Sequence, residues 1–235
     1  MPLYGCDCER CTTVRSKPEQ RRSPATALLE VAGKKYLIDA GLMNITDRYP
    51  SCSLDALFLT HFHPDHVQGL FHLRWGKGDK IPVYCPPDSI GCADLFKHPG
   101  ILDFQLQKKF VSIELENLRV TFLPLIHSKV TYGFLFEYQN QTIAYLTDTK
   151  GLPTNTFSRL ANTSLDLLVI DTSHPPGVEG SGHNNLDETL AIHKQLKPVC
   201  TVLTHISHDF DVWLNSHDLP ESVMKAHDNL VVFPF

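Results

Sequence analysis

The sequence predicts a layered α/β fold. Short apolar runs of strand length alternate with stretches of helical spacing. Histidines and aspartates fall directly after several of the apolar runs. At 235 residues the chain is long enough for one large core, and it carries no Gly/Ser linker, repeat or low-complexity segment. A single domain over residues 1–235 is therefore expected.

The elements follow in order. TALLEVAGKKYLIDAG reads as two short strands joined at Ala32-Gly33-Lys34. LDALFLT (54–60) is nearly all apolar, as a buried strand should be, and runs straight into HFHPDH. VQGLFHLRW continues with helical spacing, and Pro64 can open that helix because its missing N–H costs nothing there. IPVYC is a strand, and PPDSIGCADLFKH is helical after its prolines. LRVTFLPLI (118–126) is a strand with His127 at its end. GFLFEY and QTIAYLT form a hairpin across Gln139-Asn140, followed by Asp148. FSRLANTS is a short helix, and LDLLVI is a strand ending at Asp171. NLDETLAIHKQL is an amphipathic helix, and VCTVLT is a strand ending at His205.

Composition limits the function. Hydrophobic residues make up 42% and charged residues 20%, ordinary for a soluble globular protein. A net charge of −5 lacks the basic footprint of nucleic-acid binding, so no nucleic-acid partner is expected. Local basic spots could still hold a small phosphorylated ligand. The N-terminus lacks a secretory signal pattern, and no run approaches the ~20 apolar residues of a membrane span. The expectation is a cytoplasmic protein with no membrane partner. Seven cysteines in such a chain point to thiols or metal ligands rather than a disulfide frame. Cys52, Cys85, Cys92 and Cys200 are scattered and read as buried small hydrophobes. Cys6, Cys8 and Cys11 fall within six residues: an incomplete tetrahedral metal site and an odd number for disulfides.

Thirteen histidines is the unusual count. His61, His127, Asp148, Asp171 and His205 each end, or come just after, an apolar run, and strands of one sheet ending at one edge would bring them together. Extended residues 61–63 would put His61 and His63 on one side, about 6.6 Å apart along the chain. One metal would take His61, His63 and His127, and a second Asp65, His66 and His205. Asp148 could bridge them with its two oxygens. Mixed imidazole and carboxylate ligands suit zinc, manganese or iron better than calcium. A polar loop with chance histidines is the alternative, and the strand before HFHPDH and the helix after it argue against that.

THFHPDHVQGL, with His127, Asp148 and His205 at later strand ends, resembles the binuclear hydrolases of the metallo-β-lactamase superfamily, over nearly the whole chain. The resemblance implies a four-layer αββα sandwich with the metals at one edge of two facing sheets. CDCERC, TDTKGLP, DTSHPP, GHNNLDETL and LTHISHDFDVWL together resemble, more narrowly, the PhnP-type cyclic phosphodiesterases of the carbon–phosphorus lyase pathway. These open 5-phosphoribosyl 1,2-cyclic phosphate to ribose 1,5-bisphosphate in phosphonate catabolism. The family's metal ligands fall on His61, His63, Asp65, His66, His127, Asp148 and His205. Its leaving-group histidine falls on His183. The resemblance also implies a homodimer, a small phosphorylated sugar as substrate, and two catalytic divalent metals, manganese with zinc as the alternative.

The catalytic ions then need no cysteine. Thiolates close zinc into structural sites, so CDCERC reads as a staple holding one structural zinc. His208, three residues after His205, is the best fourth ligand on position, and the resemblance points to the same residue. The scattered cysteines and His217 compete with it. In the expected mechanism Asp65 also orients the water, His183 protonates the leaving oxygen, and Lys129 or Lys150 holds a substrate phosphate. A thioester or lactone hydrolase and a small nuclease are the alternatives on the same metals.

Overall fold

The computed structural model describes residues 2–50, 52–88 and 90–234. Along the chain lie α1 (Glu9–Ser16), β1 (Ala27–Val31), β2 (Lys34–Ile38), α2 (Ile45–Arg48), β3 (Ala56–Phe58), α3 (Pro64–Val67), α4 (Leu70–Leu73), β4 (Ile81–Cys85), α5 (Ala93–Lys97), β5 (Leu102–Leu106) and β6 (Ser112–Leu115). There follow β7 (Leu118–Pro124), β8 (Tyr132–Tyr138), β9 (Gln141–Leu146), α6 (Thr154–Ala161), β10 (Leu167–Asp171), α7 (Leu186–Leu196), β11 (Cys200–Thr204), α8 (His208–Trp213) and β12 (Val223–Lys225). They fall into two compact units, one of residues 23–112 and 128–132, the other of residues 1–22, 113–127 and 133–235. No helix among the described residues is long and apolar enough to cross a membrane.

The first unit is built on a five-stranded sheet of order β1-β2-β3-β4-β5. β1 and β2 pair antiparallel across Ala32 and Gly33, both with positive φ (50° and 79°), the geometry a tight hairpin demands. β2, β3, β4 and β5 are parallel neighbours. Leu37, Leu57, Val83 and Leu102 from these strands meet Ile45, Val67, Leu70 and Leu95 from the helices in one buried cluster. The helix expected from Pro64 onward is split into α3 and α4. Gly69 donates its N–H to Ala40 O at 2.8 Å instead of continuing the helix ladder, and a Cβ there would lie 2.2 Å from Leu42 O. This close approach locks the turn that carries Asp65 and His66.

The second unit is built on a seven-stranded sheet of order β12-β11-β10-β9-β8-β7-β6. β8 and β9 form the expected hairpin, and β9, β10, β11 and β12 run parallel. Their apolar runs fit strands covered on both faces. Because β9, β10 and β11 are parallel and in register, Asp148, Asp171 and His205 emerge at the same sheet edge, where open parallel sheets bind ligands. α7 starts on a full capping box: Asn185 Oδ1 accepts from Glu188 N–H, and the Glu188 carboxylate accepts from Asn185 N–H, both at 2.9 Å. One sheet does not gather all five strand-end groups. His61 follows β3 in the five-stranded sheet, whereas His127, Asp148, Asp171 and His205 belong to the seven-stranded one. Of the four scattered cysteines, Cys85 is buried and its thiol is pushed up to about 12 by burial; Cys92 and Cys200 are half-buried. Cys52 is exposed, contrary to the sequence reading.

Candidate metal centre

In the first unit, HFHPDH leaves β3 extended and then turns into α3 at Pro64. His61 and His66 are fully buried. Asp39, at the end of β2, is fully buried as well and organises them. It accepts Thr60 N–H at 2.8 Å, Thr60 Oγ1–H at 2.8 Å and His66 Nδ1–H at 2.8 Å. Burial pushes the Asp39 carboxyl upward, with the neighbouring His66 pulling it back down. With its proton given to Asp39, the Thr60 hydroxyl is an acceptor for His61 Nδ1–H, 3.0 Å away. Both imidazoles are thereby tied at Nδ1, so Nε2 is the nitrogen with which each could ligate. His61 Nε2 converges with His63 Nδ1 to 2.8 Å, and His66 Nε2 faces the Asp65 carboxylate at 3.6 Å. Metal-binding histidines are held in this manner from behind. Asp39 escaped the sequence reading, although LIDAG shows the same pattern of an apolar run closed by a carboxylate.

In the second unit, Asp148 is buried beyond β9 and its Oδ2 lies 3.7 Å from His127 Nε2 and 3.4 Å from His205 Nε2. The far nitrogens are again tied. His127 Nδ1–H donates to Gly182 O at 3.0 Å, and His205 Nδ1 meets Ser173 Oγ at 2.9 Å. Burial pushes the His127 imidazole down, which favours the neutral, ligating form. His205 itself sits at φ 56°, in the left-handed region that non-glycine residues occupy mostly at constrained sites. His183 Nδ1–H donates to the fully buried Asp171 at 2.7 Å, and its ring stacks on His205 at 4.7 Å and 8°. The ligand atoms of Asp148, Asp171, His183 and His205 all lie within 4.8 Å of one another.

Residues 34–206 match the family model described as the Beta-lactamase superfamily domain. The chain belongs to that superfamily. A diphosphatase from the PhnP family, known from its crystal structure, is 30% identical and superposes with a TM-score of 0.82, over 98% of this chain and 90% of that one. The chain is thus a PhnP-like member with the metallo-β-lactamase fold. The probable metallo-hydrolase YhfI of Bacillus subtilis strain 168 is 23% identical over 91% of both chains. The octanoyltransferase of Porphyromonas gingivalis strain ATCC BAA-308 / W83 is 27% identical over 98% of this chain, and the chain spans about half (48%) of that protein's length.

The PhnP-like chain also assembles its cysteine cluster. Cys6, Cys8, Cys11 and His208 bring their ligand atoms within 4.8 Å of one another and could hold a metal. His208 Nε2 lies 3.6 Å from Cys6 Sγ and 3.4 Å from Cys8 Sγ, while its Nδ1 is bound to Asp209 at 2.7 Å. The Cys8 thiol, which N-caps α1, is drawn down to about 6 by the Cys11 backbone N–H and by His208. His208 is raised to about 9 by Asp209 and then Cys8. His217 instead stacks on Trp213. Arg10 and Arg22 both clamp Asp211 of α8, at 2.5 and 2.8 Å, tying the N-terminal segment to the helix that carries His208.

Of the two lysines, Lys150 is engaged by Glu188 at 2.6 Å, the same carboxylate that closes the α7 capping box. Lys129 lies 3.9 Å from the Asp88 carboxylate in the first unit, one residue after Ser128, whose hydroxyl is 3.4 Å from His63 Nε2.

Proposed function

We propose that this chain, as one hydrolase domain over residues 1–235, is a metal-dependent phosphoric diester hydrolase that opens a cyclic ribosyl phosphate in phosphonate catabolism. The substrate is 5-phosphoribosyl 1,2-cyclic phosphate and the product ribose 1,5-bisphosphate. The observation that carries the reading is the Asp171–His183 pair stacked beside His205: a carboxylate-held imidazole next to a metal-ligand set supplies the proton that an alkoxide leaving group requires.

His61, His63, Asp65, His66, His127, Asp148 and His205 would hold two divalent ions, manganese or zinc. Their donor chemistry fits, since His61, His66, His127 and His205 are each tied at Nδ1 and offer Nε2. When bound, two such ions lower the pKa of a water toward neutrality and polarise a phosphoryl oxygen. Asp65 orients the attacking water. Asp171 accepts His183 Nδ1–H and steadies the imidazolium, whose Nε2–H faces the leaving oxygen and donates to it as the ring ester breaks. Lys129 attracts the substrate's other phosphate, and Lys150, already paired with Glu188, leaves that role to it. Cys6, Cys8, Cys11 and His208 hold one structural zinc. The protein acts as a cytoplasmic homodimer on a small phosphorylated sugar, without nucleic acid or membrane.

A second reading, a thioester or lactone hydrolase on the same metals, is favoured by one observation: nearly the whole chain is similar to part of an octanoyltransferase. A substrate panel separates the two. It comprises a ribose 1,2-cyclic phosphate, 2′,3′-cyclic nucleotides, a diphosphate ester, a lactone and an octanoyl thioester, each assayed with manganese after chelation. Turnover of the cyclic ribose phosphate should exceed that of every other compound. Dominant thioester or lactone turnover would overturn the phosphodiesterase reading.

A further inference from the structure

The segment joining Ser173 to Asn184, SHPPGVEGSGHN, is closed on itself by hydrogen bonds. Ser173 N–H and His174 N–H both donate to Asn184 O, at 2.9 and 3.2 Å, and Leu186 N–H donates to His174 O at 3.0 Å. Asp187 accepts Gly177 N–H at 2.8 Å, and the Asn185 side chain donates to Val178 O at 2.9 Å. The result is a compact loop with adjacent ends, the kind packed by its own side chains.

The side chain that packs it is His174. A Cβ added at Gly180 would fall 2.1 Å from His174 Nε2 and 2.2 Å from its Cδ2. The imidazole therefore lies directly on bare backbone at position 180, and only glycine permits that seat. The ring also neighbours His183, with centroids 6.5 Å apart at 68°. The loop's exit delivers two groups in succession. Gly182 O accepts from His127 Nδ1 at 3.0 Å, and His183 reaches Asp171 at 2.7 Å. Gly182 stands at φ 83°, and a Cβ there would already press on His127 Nδ1 at 3.3 Å. One loop conformation thus sets both the orientation of a metal ligand and the position of the proton donor.

We propose that His174 is a positioning residue that, seated on Gly180, holds this loop so that Gly182 O orients His127 and His183 is presented to the leaving group. The catalytic part of the proposal rests on the phosphodiesterase reading; the part concerning His127 does not. Asp171 can hold one edge of the His183 ring but cannot fix where its Cα stands. A displacement of ~1 Å at a reacting group costs on the order of 10²-fold in rate.

The test uses three variants of the full chain: His174→Ala, which empties the seat; Gly180→Ala, which blocks it; and His174→Phe, which keeps a flat ring without nitrogens. Manganese retained after dialysis and protease cleavage within residues 175–182 are measured for each, alongside kcat and KM on an alkyl and a nitrophenyl phosphodiester. His174→Ala and Gly180→Ala should both retain less manganese and expose the loop. With manganese restored to saturation, their kcat for the alkyl ester should fall ten- to a hundredfold, with little change for the nitrophenyl ester. His174→Phe should recover most of the loss. Should wild type hydrolyse neither ester, the functional reading fails, while manganese retention and cleavage still decide the loop proposal. Should Gly180→Ala not fold, the two His174 variants decide it. Wild-type retention and cleavage in His174→Ala would overturn the proposal. So would His174→Phe being as impaired as His174→Ala, since the ring nitrogens would then carry the role.

Discussion

Replacing Asp171 with Asn isolates the charge behind His183, the proposed proton donor. The Asp171 carboxylate is fully buried and accepts three hydrogen bonds. Oδ2 takes His183 Nδ1–H at 2.7 Å and Thr149 N–H at 2.9 Å, and Oδ1 takes the Ser173 hydroxyl at 3.0 Å. An Asn whose amide oxygen replaces Oδ2 keeps the first two. Its NH₂ then faces Ser173 Oγ, whose hydroxyl can turn to donate to His205 O, 2.7 Å away. The fold should therefore lose about 1 kcal/mol, the worth of one rearranged hydrogen bond. For a chain of this size that lowers Tm by roughly 2–4 °C. The charge that steadies protonated His183 is gone, however. General acid catalysis is worth ~10²–10⁴-fold, so kcat for an alkoxide leaving group should fall by ~10²–10³. A nitrophenolate needs little protonation and should slow by only a few fold. Initial rates on the two esters at saturating manganese, with melts and metal content on the same samples, give the answer. Equal losses for both leaving groups, or a loss that follows metal content, would refute the reasoning.

Asp211→Ala should be costly in stability, because it removes the carboxylate shared by Arg10 and Arg22; Gln20 O and Ala226 O still hold these guanidiniums, and losing hydrogen bonds to charged groups costs ~1.5–3 kcal/mol, visible in thermal melts. Burial works to raise the Asp211 carboxyl, but those arginines hold it below the usual range. Its stabilisation is thus fully present above about pH 4 and is lost as pH falls through the lowered value. Wild type should soften in acid more steeply than Asp211→Asn. Cys8→Ser or His208→Ala should release one zinc and loosen the N-terminal segment, while Asp148→Ala should abolish turnover and keep that zinc; elemental analysis distinguishes them. Lys129→Ala should raise KM for a substrate bearing a second phosphate several fold more than for one lacking it, with kcat little changed.

The strand-end histidines and aspartates were legible because each is local. An apolar run closed by a histidine or aspartate marks a buried strand and the group at its tip, which is how His61, His127, Asp148 and His205 stand out. HFHPDH and CDCERC carry their spacing within six residues each, and the α7 capping box lies within four. What the tertiary structure alone decided is everything set by partners distant in sequence. Asp39 holds His66 across 27 residues, Gly182 O orients His127 across 55, and Ser173 meets His205 across 32. Hydropathy patterns report only whether a position is covered, not by which residue, so these pairings left no mark in the sequence, even where one member, Asp39, closes an apolar run. The same holds for the Gly69 break, where a carbonyl from another segment takes the N–H a helix would have used, and for Lys150, which Glu188 engages across 38 residues. Periodicity also cannot say to which sheet a strand belongs. That choice placed His61 on one sheet and His205 on the other, because strand pairing depends on chain crossovers that no local window contains.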